Sequence, residues 1–127
     1  MNCLIVDDNP IALSTLKNLL KIEDSLRLVG ECENATEAYK ILATNKIDLL
    51  FLDVEMPAIN GLELIDSLED PPLIILVTAK KDYALEAFEK HVVDYLVKPV
   101  SLPRFLASVN FAKKIYDSRQ AKKEATQ

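Results

Sequence analysis

The sequence predicts one α/β domain built on a doubly wound parallel sheet, with helices on both faces. Five short apolar segments alternate along the 127 residues with five segments of helical pattern, and the connections between them are short. This alternation favours parallel strands joined by crossover helices. One segment, 73–77, is a continuous aliphatic run, which is typical of a strand covered on both faces.

The predicted strands are apolar runs that end at polar residues. They cover 3–6, 26–32, 48–53, 73–77 and 92–97. The third is the clearest, because its apolar run leads directly into Asp53 and is soon closed by Pro57. In an open parallel sheet, the carboxyl ends of the strands form the edge at which ligands bind. Asp53 is therefore predicted to lie at that edge.

The predicted helices begin at residues that cap helix N-termini well, namely Asn9, Asn34, Asn60, Asp82 and Ser101. The first helix should place one apolar face on the core, formed by Ala12, Leu16, Leu19 and Leu20. The third must end before Pro71 and is expected to be short. The pattern becomes polar after Asp117, where we expect the last helix to fray.

Composition and charge exclude several classes of function. The net charge of −5 argues against nucleic-acid binding by this chain, because such binding depends on cations that neutralise phosphates. No apolar run approaches the ~20 residues of a membrane span, and Met1 leads into a strand pattern without a signal peptide. We expect a cytoplasmic protein without membrane contact, in which Cys3 and Cys32 are buried, reduced thiols.

Polar side chains follow four of the five predicted strands: Asp7 and Asp8, Asp53, Thr78 and Lys98. Three carboxylates at one edge repel one another unless a cation lies among them, and Mg²⁺ with oxygen ligands would serve. The hydroxyl and the ammonium group could bind an anion beside the metal. These are the groups that phosphoryl transfer requires, and the carboxylate of Asp53 can itself be the nucleophile.

Together these residues resemble the receiver domain of two-component response regulators, over residues 1–117. The matching motifs are Asp7-Asp8, Leu52-Asp53-Val54-Glu55-Met56-Pro57, Thr78-Ala79 and Tyr95-Leu96-Val97-Lys98-Pro99. Residues 84–89 and 94–102 further resemble the LytTR-type subgroup, in which a DNA-binding domain usually follows. The resemblance implies a flavodoxin-like fold with strand order 2-1-3-4-5. Residues 118–127 would be a polar tail or the start of a linker to an output domain.

The resemblance also implies a role for each acidic residue of the site. Asp53 would be the phosphoacceptor. Asp8 would ligate Mg²⁺ directly and Asp7 largely through water, and the backbone carbonyl of Glu55 would be a further ligand.

Other residues would respond to the phosphoryl group. Lys98 would pair with a phosphate oxygen, Thr78 would donate a hydrogen bond to it, and Tyr95 would move with Thr78 as the second part of the switch. The Lys98-Pro99 bond is typically cis in the family. His91 stands where the family often has glycine, and we expect it to be an exposed residue at a helix end.

The implied partner is a sensor histidine kinase or a phosphotransfer protein, from which Asp53 takes a phosphoryl group. The domain would catalyse its own phosphorylation and slow hydrolysis, and is therefore not expected to be a turnover enzyme. Phosphorylation would switch an output face formed by helix 4, strand 5 and helix 5, through which we expect a homodimer to form.

Three other functions compete with this one. A phosphatase of the haloacid-dehalogenase type would place its nucleophile after the first strand, whereas here the acidic pair comes first. A flavodoxin-like cofactor carrier is disfavoured because Asp7 and Asp8 would repel a flavin phosphate. A receiver-like module that is never phosphorylated is disfavoured by the complete set of site residues, but the sequence leaves it open.

Overall fold

The computed structural model describes residues 1–125, in which five strands alternate with five helices. The elements are β1 (Asn2–Val6), α1 (Pro10–Leu20), β2 (Arg27–Cys32), α2 (Ala35–Thr44), β3 (Leu49–Leu52), α3 (Gly61–Ser67), β4 (Leu73–Thr78), α4 (Ala84–Glu89), β5 (Asp94–Val97) and α5 (Leu102–Ala125). The predicted alternation is confirmed, and α3 is short, as expected.

All five strands form one parallel sheet in the order β2-β1-β3-β4-β5, which confirms the predicted fold class and strand order. Successive residues of each central strand point to opposite faces. Leu4 and Leu50, for example, belong to one core cluster, whereas Cys3 and Leu49 belong to the other.

The helices cover the sheet unequally. The core cluster on one face includes residues of α2, α3 and α4, and the cluster on the other face includes residues of α1 and α5. On the second face, the rings of Phe51 in β3 and Phe105 in α5 stack with their centroids 5.6 Å apart. Because both faces are covered, β3 and β4 are buried along their full length. The site at their ends therefore stands on a closely packed base.

Two predicted helix features are wrong in detail. The buried face of α1 is formed by Leu13, Leu16 and Leu20, so Ala12 and Leu19 lie at its margin. Asp82 does not cap α4. Tyr83 holds the N-cap position without a side-chain hydrogen bond, because the chain enters the helix through a turn and not in an extended conformation. The caps at Asn9, Asn34, Asn60 and Ser101 are confirmed by hydrogen bonds from backbone N–H groups.

Helix α5 is longer than expected. It continues through the polar segment after Asp117 as far as Ala125, so the predicted fraying does not occur within the described residues. Residues 126 and 127 of the predicted tail lie outside them. Tyr116, just before this segment, is partly buried against the core, and Gln120 Nε2 in the segment donates to its hydroxyl at 3.3 Å. This packing, together with the good helix propensity of its Ala, Lys, Gln and Glu residues, favours the extension.

Gly61 is the position at which the fold tolerates no side chain. It begins α3 directly after the loop that follows β3, and its backbone N–H donates to the carbonyl of Val54. A Cβ atom at this position would lie 2.4 Å from the backbone oxygen of Asp53. The close approach of α3 to the end of β3 therefore requires glycine.

We expect Gly61→Ala to lower the free energy of unfolding by about 1–3 kcal/mol, because the backbone around Asp53 must shift. The matched control is Gly30→Ala, where the added Cβ would meet Leu4 Cδ1 at an ordinary 3.5 Å. Urea unfolding followed by circular dichroism measures both. Equal midpoints for the two variants would show that the contact at Gly61 is not restrictive.

Candidate functional site

The sheet places the polar residues that follow its strands. Three backbone N–H groups donate to backbone carbonyls of a neighbouring strand: Asp7 to Cys32 at 3.0 Å, Asp53 to Val6 at 2.9 Å, and Lys98 to Thr78 at 2.8 Å. Each of these hydrogen bonds continues a pairing one residue beyond the strand. The backbone positions of the site are therefore fixed by the sheet itself, and the expectation that these residues meet at one edge is confirmed.

Lys98 lies between two carboxylates. Its Nζ atom is 2.7 Å from Asp7 Oδ2 and 3.4 Å from Asp53 Oδ2. The side chains of Asp7 and Asp53 are 1% and 7% exposed, whereas that of Lys98 is 25% exposed. Buried charges need partners, and the ammonium group supplies one to both acids. Asp8 is exposed at the mouth of the site.

The charges of the site shift the affinity of its groups for protons. Burial raises the pKa of Asp53, and the neighbouring charge of Asp7 raises it further, while Lys98 and the backbone N–H of Glu55 offset only part of this. Burial acts to lower the pKa of Lys98, but its bonds to Asp7 and Asp53 outweigh that effect and raise it. Lys98 is therefore held as a cation beside an acid that is costly to ionise.

The acidic residues fit a divalent metal ion. One carboxylate oxygen from each of Asp7, Asp8 and Asp53 can be chosen so that all three lie within 4.8 Å of one another. Opposite ligands of a Mg²⁺ ion are about 4 Å apart, so small rotations of these side chains would bring them to the ion. Three carboxylates and one ammonium also leave two negative charges, which a divalent cation would neutralise.

The hydroxyl of Thr78 has no hydrogen-bond partner in favourable geometry within the described part of the chain. Thr78 is fully buried at the end of β4. Its hydroxyl is near enough to lower the pKa of Asp53 weakly, yet no acceptor meets Oγ1 in hydrogen-bonding geometry. A buried donor without an acceptor is unfavourable. An anion on Asp53 would give this hydroxyl an acceptor.

Tyr95 lies in β5 and is buried, with its hydroxyl donating to the backbone carbonyl of Lys80. Burial raises the pKa of this phenol, so the hydroxyl is a stable donor. The structure thus places Tyr95 next to the loop between β4 and α4. It does not show the movement that the resemblance implies for this residue.

Two contacts at the site were not predicted. The backbone N–H of Glu55 donates to Asp53 Oδ1 at 3.2 Å, and the carboxylate of Glu55 forms an ion pair with Lys80 Nζ at 3.3 Å. This contact raises the pKa of Lys80. In the sequence, only the position of Lys80 could have indicated it. Lys80 follows Thr78 by two residues, just as Glu55 follows Asp53.

The remaining candidates lie away from the site or are inert. His91 is exposed at the end of α4 with a φ of 63°, which confirms its expected place at a helix end. Cys3 and Cys32 are free and buried, and burial raises their pKa values to about 12 and 11. Neither thiol is a nucleophile at neutral pH. The Lys98-Pro99 bond is cis, as the resemblance implied.

We expect Asp53→Asn to raise the melting temperature at pH 7 in the presence of a chelator. The fold raises the pKa of Asp53 above its ordinary value of 3.8. Between pH 3.8 and this raised pKa, the folded state therefore binds more protons than the unfolded state. Stability is therefore lost as the pH rises through this window. The gain from Asp53→Asn should shrink as the pH falls and vanish below 3.8. Calorimetry against Asp117→Asn, which removes an exposed acid, is the test, and equal gains would refute it.

The comparisons with known proteins agree with this site. Residues 3–110 match the family model described as the response regulator receiver domain. The chain is 44% identical over 103 residues to the transcriptional regulatory protein BtsR of Escherichia coli, and the match covers 80% of this chain and 43% of that protein. The chain therefore spans less than half the length of this curated relative.

Solved structures show the same fold. The response regulatory domain of protein mrkE from Klebsiella pneumoniae superposes with a TM-score of 0.81 at 31% identity, covering 95% of this chain and 99% of that one. The response regulator protein TrrA from Thermotoga maritima, solved in complex with Mg(2+)-BeF, gives 0.77 at 31% identity, covering 87% and 97%. No described helix is long and apolar enough to cross a membrane. The chain belongs to the response regulator receiver domain family.

Proposed function

We propose that this domain accepts a phosphoryl group on Asp53 from the phosphohistidine of a sensor histidine kinase or a phosphotransfer protein. The observation that carries this proposal is the setting of Asp53 at the end of β3. Its carboxylate is buried beside the ammonium group of Lys98 and the unpartnered hydroxyl of Thr78. A phosphoryl acceptor, a cation and a hydrogen-bond donor therefore meet at one edge of the sheet.

In the reaction, a carboxylate oxygen of Asp53 attacks phosphorus and the phosphorus–nitrogen bond of the donor breaks. The imidazole leaves with the electron pair and takes a proton from solvent. Lys98 remains charged and offsets the negative charge on the transferred group, and Thr78 donates to one of its oxygens. Because the product stays on Asp53 until water hydrolyses it, the domain acts as a self-catalysed switch and not as a turnover enzyme.

Asp7, Asp8 and Asp53, with the backbone carbonyl of Glu55, are the groups that would hold Mg²⁺. When bound, the ion supplies positive charge that offsets the repulsion between the phosphoryl group and the acids. TrrA, the relative solved with Mg(2+)-BeF, shows that a receiver of this fold takes a divalent ion together with a fluoride complex. The net negative charge of the site in this chain supports Mg²⁺ as its ligand as well.

Incubation with phosphoramidate and Mg²⁺ should add one phosphoryl group, measured by intact mass. Asp53→Asn should abolish the gain, whereas Asp117→Asn should label as the parent does, because Asp117 is exposed on α5. Asp8→Asn should raise the Mg²⁺ concentration for half-maximal labelling by about tenfold or more. Equal labelling of Asp53→Asn would refute the acceptor, and an unchanged Mg²⁺ requirement would refute Asp8 as a ligand.

The full-length protein is proposed to regulate transcription from the cytoplasm. The BtsR relative is named a transcriptional regulatory protein, and this chain matches 43% of it. The resemblance of residues 84–89 and 94–102 to the LytTR-type subgroup supports a DNA-binding output domain after the receiver. Residues 118–125 continue α5, and a helix of this kind could join the two domains. The acidic receiver itself would not contact DNA.

The output face is proposed to be a dimer surface formed by α4, β5 and α5. Leu85 and Phe88 on α4 are 77% and 52% exposed, and Phe111 on α5 is 53% exposed. Exposed apolar side chains around an edge strand favour association. Opposite charges on α4 and α5 would also suit a twofold contact, and the sequence predicts Lys113 among them. Lys113 does not belong to this face, because its Nζ atom is 3.3 Å from Glu23 Oε1 in the α1–β2 loop.

We expect beryllium fluoride with Mg²⁺, a mimic of the phosphoryl group, to convert the parent from monomer to dimer in sedimentation velocity. Leu85→Glu should weaken the dimer by about tenfold or more, because it places a charge in an apolar contact. Ile11→Glu on α1 is the matched control, since Ile11 is also 77% exposed but lies away from this face. A parent that stays monomeric with bound mimic, or equal weakening by both substitutions, would refute the assignment.

A further inference from the structure

We propose that Lys80 is a positioning residue that couples the charge on Asp53 to Tyr95 through an ion pair with Glu55. This inference rests on the proposed function of Asp53. It adds a second connection between the acceptor and Tyr95, separate from the one through Thr78.

The connection is a series of three contacts across the mouth of the site. The backbone N–H of Glu55 donates to Asp53 Oδ1 at 3.2 Å. The Glu55 carboxylate then forms an ion pair with Lys80 Nζ at 3.3 Å. Finally, the backbone carbonyl of Lys80 accepts from the hydroxyl of Tyr95. One residue, Lys80, thus contacts the loop after β3 with its side chain and Tyr95 with its backbone.

The ion pair is suited to rearrangement. The side chains of Lys80 and Glu55 are 54% and 40% exposed, and exposed pairs of this kind stabilise a fold only slightly. Helix α4, which follows the segment that carries Lys80, also starts without a side-chain cap. A modest electrostatic change is therefore sufficient to move Lys80 without unfolding the sheet.

A phosphoryl group on Asp53 supplies that change. It replaces the single negative charge of the carboxylate with roughly −1.5 to −2 charges. The carboxylate is 3.2 Å from the Glu55 backbone nitrogen, so this change lies within the range over which charges act on one another at physiological salt. The new dianion repels the carboxylate of Glu55 and attracts the ammonium group of Lys80. Lys80 then exchanges one anionic partner for another, and its backbone carbonyl moves with it.

The movement reaches Tyr95 because its buried hydroxyl needs an acceptor. Tyr95 is 8% exposed, so a displaced Lys80 carbonyl must be followed by the phenol or replaced by another acceptor. Two arrangements of the loop and ring, one for each partner of Lys80, form the two-state element that such coupling requires. The loop after β4 therefore responds to charge as well as to the hydrogen bond of Thr78.

The test uses 3-fluorotyrosine-labelled protein and the fluorine resonance of Tyr95, assigned with Tyr95→Phe. Without ligand, Glu55→Gln and Lys80→Gln should each shift this resonance, and the double variant should resemble either single variant, because both break one ion pair. Lys80→Arg should restore the parent position. Lys81→Gln, which removes an exposed neighbouring charge, is the matched control and should have no effect. Additive shifts, or equal shifts from Lys80→Gln and Lys81→Gln, would overturn the ion pair as the link.

The second measurement adds beryllium fluoride and Mg²⁺. Lys80→Gln should still bind the mimic, seen in the amide resonances of Asp7 and Asp53, but the accompanying shift at Tyr95 should fall by about twofold or more. A full shift at Tyr95 in Lys80→Gln would overturn the inference. A parent that binds no mimic would instead overturn the proposed function of Asp53, while the ligand-free measurement still decides the role of Lys80.

Discussion

The acidic residues of the site have too little positive charge among them, and the other properties of the site depend on this deficit. A single ammonium group, Lys98 Nζ, lies 2.7 Å from Asp7 and 3.4 Å from Asp53. It must offset the charge of two buried carboxylates and the exposed one of Asp8, and the pKa of Asp53 stays raised in spite of it. A divalent cation would offset this imbalance. The need for one would grow on phosphorylation, because the phosphoryl group carries more negative charge than the carboxylate it replaces.

Such an imbalance persists only because the rest of the fold holds the acids together. The backbones of Asp7, Asp53 and Lys98 are fixed by hydrogen bonds that continue the sheet, and the strands below them are buried on both faces. Gly61 brings α3 against the backbone of Asp53, and its N–H donates to the carbonyl of Val54 at 2.8 Å, which restrains the loop after β3. The stability of the core thus offsets the cost of the site, as is common at functional sites.

The sequence predicted the fold and the members of the site well because both follow from periodic patterns. Apolar runs that end in Asp7, Asp53, Thr78 and Lys98 determine the strands and, in a parallel sheet, the shared edge. What it could not predict depends on side-chain geometry. The ion pair of Glu55 with Lys80 joins two loops that no periodicity aligns. The continuation of α5 past Asp117 is supported by a side-chain contact of Gln120 with Tyr116, which the polar pattern of the segment does not reveal.

Two buried hydroxyl groups near the site, those of Thr78 and Tyr95, differ in their hydrogen bonding. The buried hydroxyl of Thr78 has no acceptor in hydrogen-bonding geometry among the described residues, whereas that of Tyr95 is already bonded to the backbone carbonyl of Lys80. A phosphoryl oxygen on Asp53 would give the Thr78 hydroxyl an acceptor, and this is the connection to Tyr95 that the family resemblance implies. The second connection runs through Lys80, whose backbone carbonyl accepts from Tyr95 and whose side chain pairs with Glu55. Under the proposed coupling, the response of the output face depends on both connections.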